Sequence, residues 1–178
     1  NYLLTENGVD PADVDIQGRT AQEVSALMAT GEAELCMLPV PAATSVLVQN
    51  DGVREALDLS AEWDALDNGS HLTMTTIVAR TDFIQENPQA VENFLADYQA
   101  SVDYVNGDPA AAAELVAGYG ITANAQIAEA AIPKCALVFI TGPSSMRSAI
   151  QGYYEVLYQA NPDSIGGGIP DDAFYYQG

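Results

Sequence analysis

The sequence predicts an α/β fold, because short apolar runs of strand length alternate with amphipathic helical segments along the first 60 residues. The clearest run is "AELCMLPV" (residues 33–40), whose near-continuous apolar character is typical of a strand covered on both faces. A shorter run precedes it at residues 14–16, and another follows at residues 53–59. The resulting β-α-β-α-β order implies parallel strands with helices packed on the faces of the sheet.

Local signals mark the helices between these runs. The opening segment "NYLLTENGVDP" is typical of the end of a helix, with Gly8 just beyond the last turn. Thr20 and Glu23 have the spacing of a capping box, and Gly31 marks the end of that helix. Pro41 opens the next helix. Since a chain rarely begins inside a helix, we expect that sequence precedes residue 1 and can include a secretion signal.

The rest of the chain is predicted to be mostly helical. "HLTMTTIVAR" (residues 71–80) is a predicted strand, and "CALVFIT" (residues 135–141) is a second extended segment. A long helix begins at Asn87-Pro88, where apolar side chains recur at helical spacing. Further helices are predicted at residues 60–66, 81–87, 109–120, 123–132 and from Pro143 to about residue 160.

The charge of the chain excludes several classes of partner. The 178 residues include 25 acidic and 5 basic side chains, which gives a formal net charge of −20. Nucleic-acid binding requires a lysine- and arginine-rich surface that displaces counterions, and a polybasic membrane patch requires the same residues. No stretch approaches the ~20 apolar residues of a membrane span. We therefore expect no nucleic-acid partner, and membrane contact only through a lipid anchor or a membrane-bound partner.

Few residues are available for metal binding or nucleophilic catalysis. Cys36 and Cys135 belong to no CxxC pair, and Cys36 resembles a small buried hydrophobic residue within its apolar run. A disulfide between the two cysteines is the less favoured alternative. His71 has no HxH or HExxH partner. No Ser/His/Asp or Cys/His constellation can be assembled around this one histidine. A paired-carboxylate mechanism stays open, but the 25 acidic residues offer so many pairs that none is singled out. We therefore predict no metal, no cofactor and no specific catalytic residue.

Two segments carry a resemblance to a known family. "GEAELCMLPVPAAT" (residues 31–44) resembles the G-x-x-D-A-x-x-x-x-E-P segment of the NMT1/THI5-like solute-binding proteins. Residues 71–121 resemble that family's block in which a strand ending in Arg or Lys leads into F-x-x-x-N-P-x-x-V-x-x-F-L and then N-x-x-P-x-x-A-A. Each motif alone is moderately specific, but their order and spacing together are much stronger.

The resemblance implies a type II periplasmic-binding-protein-like fold, in which two lobes with helices packed on mixed sheets close over a solute. Residues 1–57 would form most of lobe II. Residues 58–178 would form the C-terminal half of lobe I, with a hinge return segment at about 58–75. The first half of lobe I would lie upstream.

Two turns between a predicted strand and a helix are the candidate binding elements, since ligands of α/β sheets lie where strands lead into helix N-termini. The first turn contains Arg19 and Thr20, and the second contains Pro39, Val40 and Pro41. Arg19 could clamp an anion, or could be a solvated surface arginine; Thr20 could contact solute, or could only cap its helix. Val40 stands where many relatives have Glu or a bulky polar residue, which puts a simple transfer of sulfonate or nitrate specificity in doubt.

A third group of candidates lies near the predicted hinge. His71, Thr73 and Thr75 occupy alternate positions, so on a strand their side chains would point the same way and could line the cleft floor. The alternative is that the threonines are ordinary strand formers and that His71 is a surface histidine.

We therefore predict an extracytoplasmic solute-binding component of an ABC importer, not an enzyme, with a small-molecule solute and the transporter permease as partners. Enzymes of menaquinone and thiamine biosynthesis resemble these binding proteins in fold and form the main alternative. The thiamine-pathway enzyme carries a cysteine-rich iron-binding segment that this chain lacks. A ligand-sensing module with the same lobes is a second alternative.

Overall fold

The computed structural model describes all residues from 1 to 178 and contains nine α-helices. They are α1 (Tyr2–Glu6), α2 (Ala21–Thr30), α3 (Val40–Gln49), α4 (Leu59–Asp64), α5 (Thr81–Glu86), α6 (Pro88–Gly107), α7 (Pro109–Gly118), α8 (Ala125–Ala131) and α9 (Pro143–Ala160). Short 3₁₀ turns lie at Pro11–Asp13, Ile132–Lys134, Pro162–Ile165 and Asp172–Phe174. None of the helices has the length and apolar character needed to traverse a bilayer.

The helices begin and end where the local sequence signals predict. Thr20 is the N-cap of α2, and the Thr20–Glu23 capping box is formed in both directions. Gly31 ends α2 in the left-handed conformation, with φ 73°, which costs glycine little because it has no Cβ. Prolines occupy the first turn of α3, α6, α7 and α9, where the missing N–H has no intrahelical partner to lose. The helix predictions are therefore confirmed.

The predicted α/β class is wrong for this structure, which contains no β-strand and no sheet. Residues 33–39, 53–57, 71–80 and 135–141 lie outside helices, and no backbone hydrogen bond joins any of these segments to another. A strand exists only when a neighbouring strand pairs with its N–H and C=O groups, and that neighbour is missing here. Several of their apolar side chains are exposed as a result, including Leu35, Met37, Met74 and Val138. Ala136 has a φ of 48°, which interrupts an extended conformation within "CALVFIT".

The chain divides into two compact units. Unit 1 comprises Asn1–Ile16, Ala56–Val78 and Ile140–Gly178, and unit 2 comprises Gln17–Glu55 and Ala79–Phe139. The lobe boundary predicted near residue 57 stays a prediction.

Unit 1 is built around Trp63, which is 4% exposed. Its indole N–H donates a hydrogen bond to the Ser70 hydroxyl at 2.8 Å. The rings of Tyr2 and Tyr153 pack against it with centroid distances of 4.8 and 5.4 Å. Trp63 is thus a packing anchor, as its isolated position in a short amphipathic segment indicates.

Unit 2 has a small core of short side chains. Ala112 and Ala113 of α7 contact Ala128 of α8 and Ile132, which follows α8. Helix α3 packs against α8 and against α2, so the starts of α2 and α3 belong to the same packed unit. This arrangement places both predicted binding turns on unit 2.

Candidate functional site

The turn before α2 holds Arg19 beside a fully formed helix cap. Thr20 donates from its backbone N–H and from its hydroxyl to Glu23 Oε2, at 2.8 and 2.7 Å, and the Glu23 N–H donates back to Thr20 Oγ1 at 3.3 Å. The backbone N–H of Thr20, its hydroxyl and the nearby Arg19 charge lower the pKa of Glu23, in that order of size. Both polar groups of Thr20 are therefore engaged in capping.

Arg19 itself is exposed, and its Nη2 donates a 3.3 Å hydrogen bond to Gln17 Oε1. A guanidinium carries five N–H donors, so this contact leaves others free to bind an acceptor. Arg19 also lines an open groove of about 310 Å³ that follows one face of α2. The other lining residues are Glu23, Ala26, Leu27, Thr30 and Glu32.

The turn before α3 has a different chemistry. Pro39 is the N-cap, with φ −65° and ψ 152°, and no side chain caps the helix. Val40 is the first helical residue and is half-buried, while Pro41 is exposed. The first N–H groups of α3 therefore lack a side-chain acceptor of the kind that Thr20 Oγ1 provides in α2.

Pro41 also lines a second depression, of about 230 Å³, next to the start of α3. Its walls come from the first turns of α3, from the loop after α7 and from α8, and consist of Pro41, Ala42, Ser45, Ile121, Thr122, Ala123 and Ile127. The two hydroxyl groups, of Ser45 and Thr122, are the polar side chains of the wall. The structure thus joins a predicted binding turn to a loop 80 residues further along the chain.

Sequence reasoning did not select Ser45 or the loop at residues 121–123. Ser45 lies within the helical pattern of "PAATSVLVQN", and the loop precedes Asn124, whose side chain caps α8. Neither feature distinguishes a cavity wall from an ordinary helix or turn. The sequence gives one indirect signal, since it predicts a binding role for Pro41, and Ser45 and residues 121–123 line the same depression as Pro41.

The third predicted group lies on unit 1. His71 Nδ1 is 2.8 Å from Asp64 Oδ1, and the His71 side chain is 77% exposed. Thr73 donates from its hydroxyl to the His71 carbonyl at 3.3 Å, and Thr75 is exposed. Since residues 71–80 are not a strand, the alternation argument for a shared direction of these side chains is wrong; their role in binding stays a prediction.

The cysteines and acidic residues form no metal site in the structure. No group of three or more His, Cys, Asp or Glu side chains is close enough to hold an ion. Both thiols are free: Cys36 is exposed, contrary to the buried position predicted for it, and Cys135 is half-buried. Burial raises the pKa of the Cys135 thiol above its ordinary value.

Comparison with family models assigns the protein to a class. Residues 1–112 match a model of solute-binding proteins of the periplasmic-binding type. That model is described as NMT1/THI5 like, and the chain belongs to this family, as the sequence motifs predict. Members of the family are usually extracytoplasmic and mostly related to transport. No curated protein and no solved structure matched the chain.

Proposed function

We propose that this protein is the extracytoplasmic solute-binding component of an ABC importer, which captures a small molecule and delivers it to the membrane permease. The observation that carries the proposal is the family match over residues 1–112, since the family consists mostly of transport-related binding proteins. The candidate solutes are small anions, sulfonates and heterocycles. Attachment to the membrane would be through a lipid anchor or through the permease.

The start of α2 supports an anion-binding role for Arg19. Its guanidinium lines the α2 groove and retains free N–H donors, which suits a carboxylate, sulfonate or phosphate oxygen. Glu23 and Glu32 line the same groove, so an anion there would be favoured only at the Arg19 end.

Thr20 has an indirect role in this proposal. Because its hydroxyl and N–H are both bonded to Glu23, it holds the first turn of α2 in place instead of contacting the solute. Pro39, Val40 and Pro41 form the second contact surface, at the start of α3. His71, Thr73 and Thr75 are proposed solute contacts of unit 1.

A solute screen on the whole chain tests the proposal. Thermal unfolding is measured against a library of anions, sulfonates and heterocycles, and each hit is quantified by isothermal titration calorimetry. A solute at 100-fold excess over its dissociation constant should add about 2.7 kcal/mol of stability. Mass spectrometry of the recovered solute tests for turnover. A library in which no member binds, or a hit that is chemically converted, would contradict the proposal.

The role of Arg19 is tested separately on any anionic hit. Arg19→Ala should weaken its binding by about tenfold or more, because a charged hydrogen bond is lost. Arg54→Ala is the matched control, since Arg54 is another exposed arginine of unit 2 and lines neither depression. Equal dissociation constants for Arg19→Ala and the unmodified protein would remove Arg19 from the site.

A further inference from the structure

The depression at the start of α3 identifies a class of ligand more narrowly than the family match does. We propose that it binds an uncharged group that carries a carbonyl oxygen next to an N–H, as in a carboxamide or lactam. Ser45 and Thr122 form hydrogen bonds with this group. The inference rests on the proposed solute-binding function and adds the chemical class of solute, together with two specificity-determining residues.

The walls of the depression argue against an ionised ligand. None of its seven lining residues has an ionisable side chain, and five of the seven are Pro, Ala or Ile. No charged side chain lines the depression, so an ion there would meet no opposite charge. The α2 groove differs in this respect, since Arg19, Glu23 and Glu32 all line it. The two depressions share no residue, and charged side chains line only the α2 groove.

The two hydroxyl groups differ in what they can still offer to a ligand: Ser45 can donate a hydrogen bond and Thr122 can accept one. Ser45 Oγ accepts a hydrogen bond from Gln49 Nε2 at 2.6 Å, so its own O–H remains available to donate. Thr122 donates from its hydroxyl to the Asn124 carbonyl at 3.0 Å, so its oxygen remains available to accept. A ligand that satisfies both offers an acceptor to Ser45 and a donor to Thr122, as an amide group does.

The size of the depression limits the ligand to a small molecule. Its volume of about 230 Å³ exceeds the ~150 Å³ of an apolar protein cavity that holds benzene. A six-membered ring that carries one amide therefore fits, with the ring against Ile121 and Ile127 and the amide toward the hydroxyl groups. Residues 121–127 lie outside the stretch matched by the family model.

An isosteric series of probes tests the proposal on the whole chain. Benzamide is neutral, benzoate is its anionic counterpart, and benzamidine, protonated at neutral pH, is its cationic counterpart. Each is titrated by two-dimensional ¹⁵N–¹H NMR up to about 10 mM, because ligands of this size bind with about millimolar affinity. We expect benzamide to shift the amide signals of Ala42, Ser45, Thr122 and Ala123 saturably, and the two ions to leave them unchanged.

Variants then assign the contacts. Thr122→Val keeps the shape of the side chain and should weaken benzamide about fivefold, and Ser45→Ala should do the same, as expected for one hydrogen bond each. Ser25→Ala on α2 is the control, since Ser25 lies outside the depression and its hydroxyl donates only to the Ala21 carbonyl. It should leave benzamide binding unchanged.

The outcomes separate this inference from the proposed function. Absence of saturable benzamide shifts, equal shifts with benzoate, or binding unaffected by both Thr122→Val and Ser45→Ala would each overturn the amide assignment. In any of these cases a solute from the library that binds without turnover would leave the importer function standing. If neither benzamide nor any library solute binds, both proposals fail together.

Discussion

The close packing of α9 against the turn at residues 69–70 predicts how a substitution in α9 changes the stability of unit 1. Gly152 lies in the middle of α9, and a Cβ added there would sit 2.8 Å from Ser70 Cβ and 2.9 Å from the Gly69 carbonyl oxygen. Both neighbours belong to a turn whose backbone would have to move. Because Ser70 accepts the buried indole N–H of Trp63, such a movement also disturbs the centre of the unit.

Two opposing effects determine the size of the change caused by Gly152→Ala. Alanine in a helix interior is favoured over glycine by about 1 kcal/mol. Overpacking at contacts below 3 Å costs about 1–3 kcal/mol, and loss of the Trp63–Ser70 bond would add about 1 kcal/mol. The steric and hydrogen-bonding costs exceed the helix-propensity gain, so we expect the free energy of unfolding of unit 1 to fall by about 1–3 kcal/mol.

Urea unfolding followed by tryptophan fluorescence measures this change directly, since Trp63 is the only tryptophan of the chain and lies in unit 1. Gly168→Ala is the matched control: Gly168 is also in unit 1, but a Cβ there meets no atom within 4 Å, and its φ is not positive. Its unfolding midpoint should stay the same or rise slightly. An equal or higher midpoint for Gly152→Ala would show that α9 does not pack against the 69–70 turn in this way.

Two further predictions concern a buried hydroxyl and a helix cap. Tyr175 is 5% exposed and its hydroxyl has no hydrogen-bond partner, so Tyr175→Phe should raise the stability of unit 1 by about 1 kcal/mol in the same urea assay; a loss of stability would reveal a partner for that hydroxyl. For α2, the bonds from Thr20 hold the pKa of Glu23 below its ordinary value of 4.5. A depressed folded-state pKa stabilises the protein above the unfolded-state value and loses this effect as pH falls through the folded-state value. Glu23→Gln should therefore reduce stability at neutral pH and have a smaller effect in acid, measured by circular dichroism. A pH-independent difference would contradict the assigned cause.

The helices were predictable because their signals lie within a few residues of each other. The Thr20–Glu23 pair spans one helical turn, and Pro88, Pro109 and Pro143 act on their own first turns. The predicted strands were wrong because strand formation depends on a partner that the local pattern does not contain. The run at residues 33–40 has the composition of a covered strand, yet Leu35 is 82% exposed in the structure. Apolar character alone does not supply a hydrogen-bonding neighbour.

Some residues of the candidate site could also be predicted from the sequence, and others could not. Arg19 and Pro41 could be selected from the sequence because each lies at the start of a helix that the local pattern defines. Ser45 and Thr122 could not, because they face one depression only through the packing of α3 against α8. These two hydroxyl groups are 77 residues apart along the chain, and neither composition nor motif spacing indicates that they lie together.

The residues proposed to bind solute lie partly inside and partly outside the stretch matched by the family model. The family match ends at residue 112, so it includes the turns that hold Arg19 and Pro41 but not the loop that holds Thr122. If the α3 depression binds as proposed, residues 121–127 contribute to which uncharged group is accepted. Exchange of that loop should therefore alter the preference for a carboxamide without altering the binding of an anion at Arg19, because the two depressions have no residue in common.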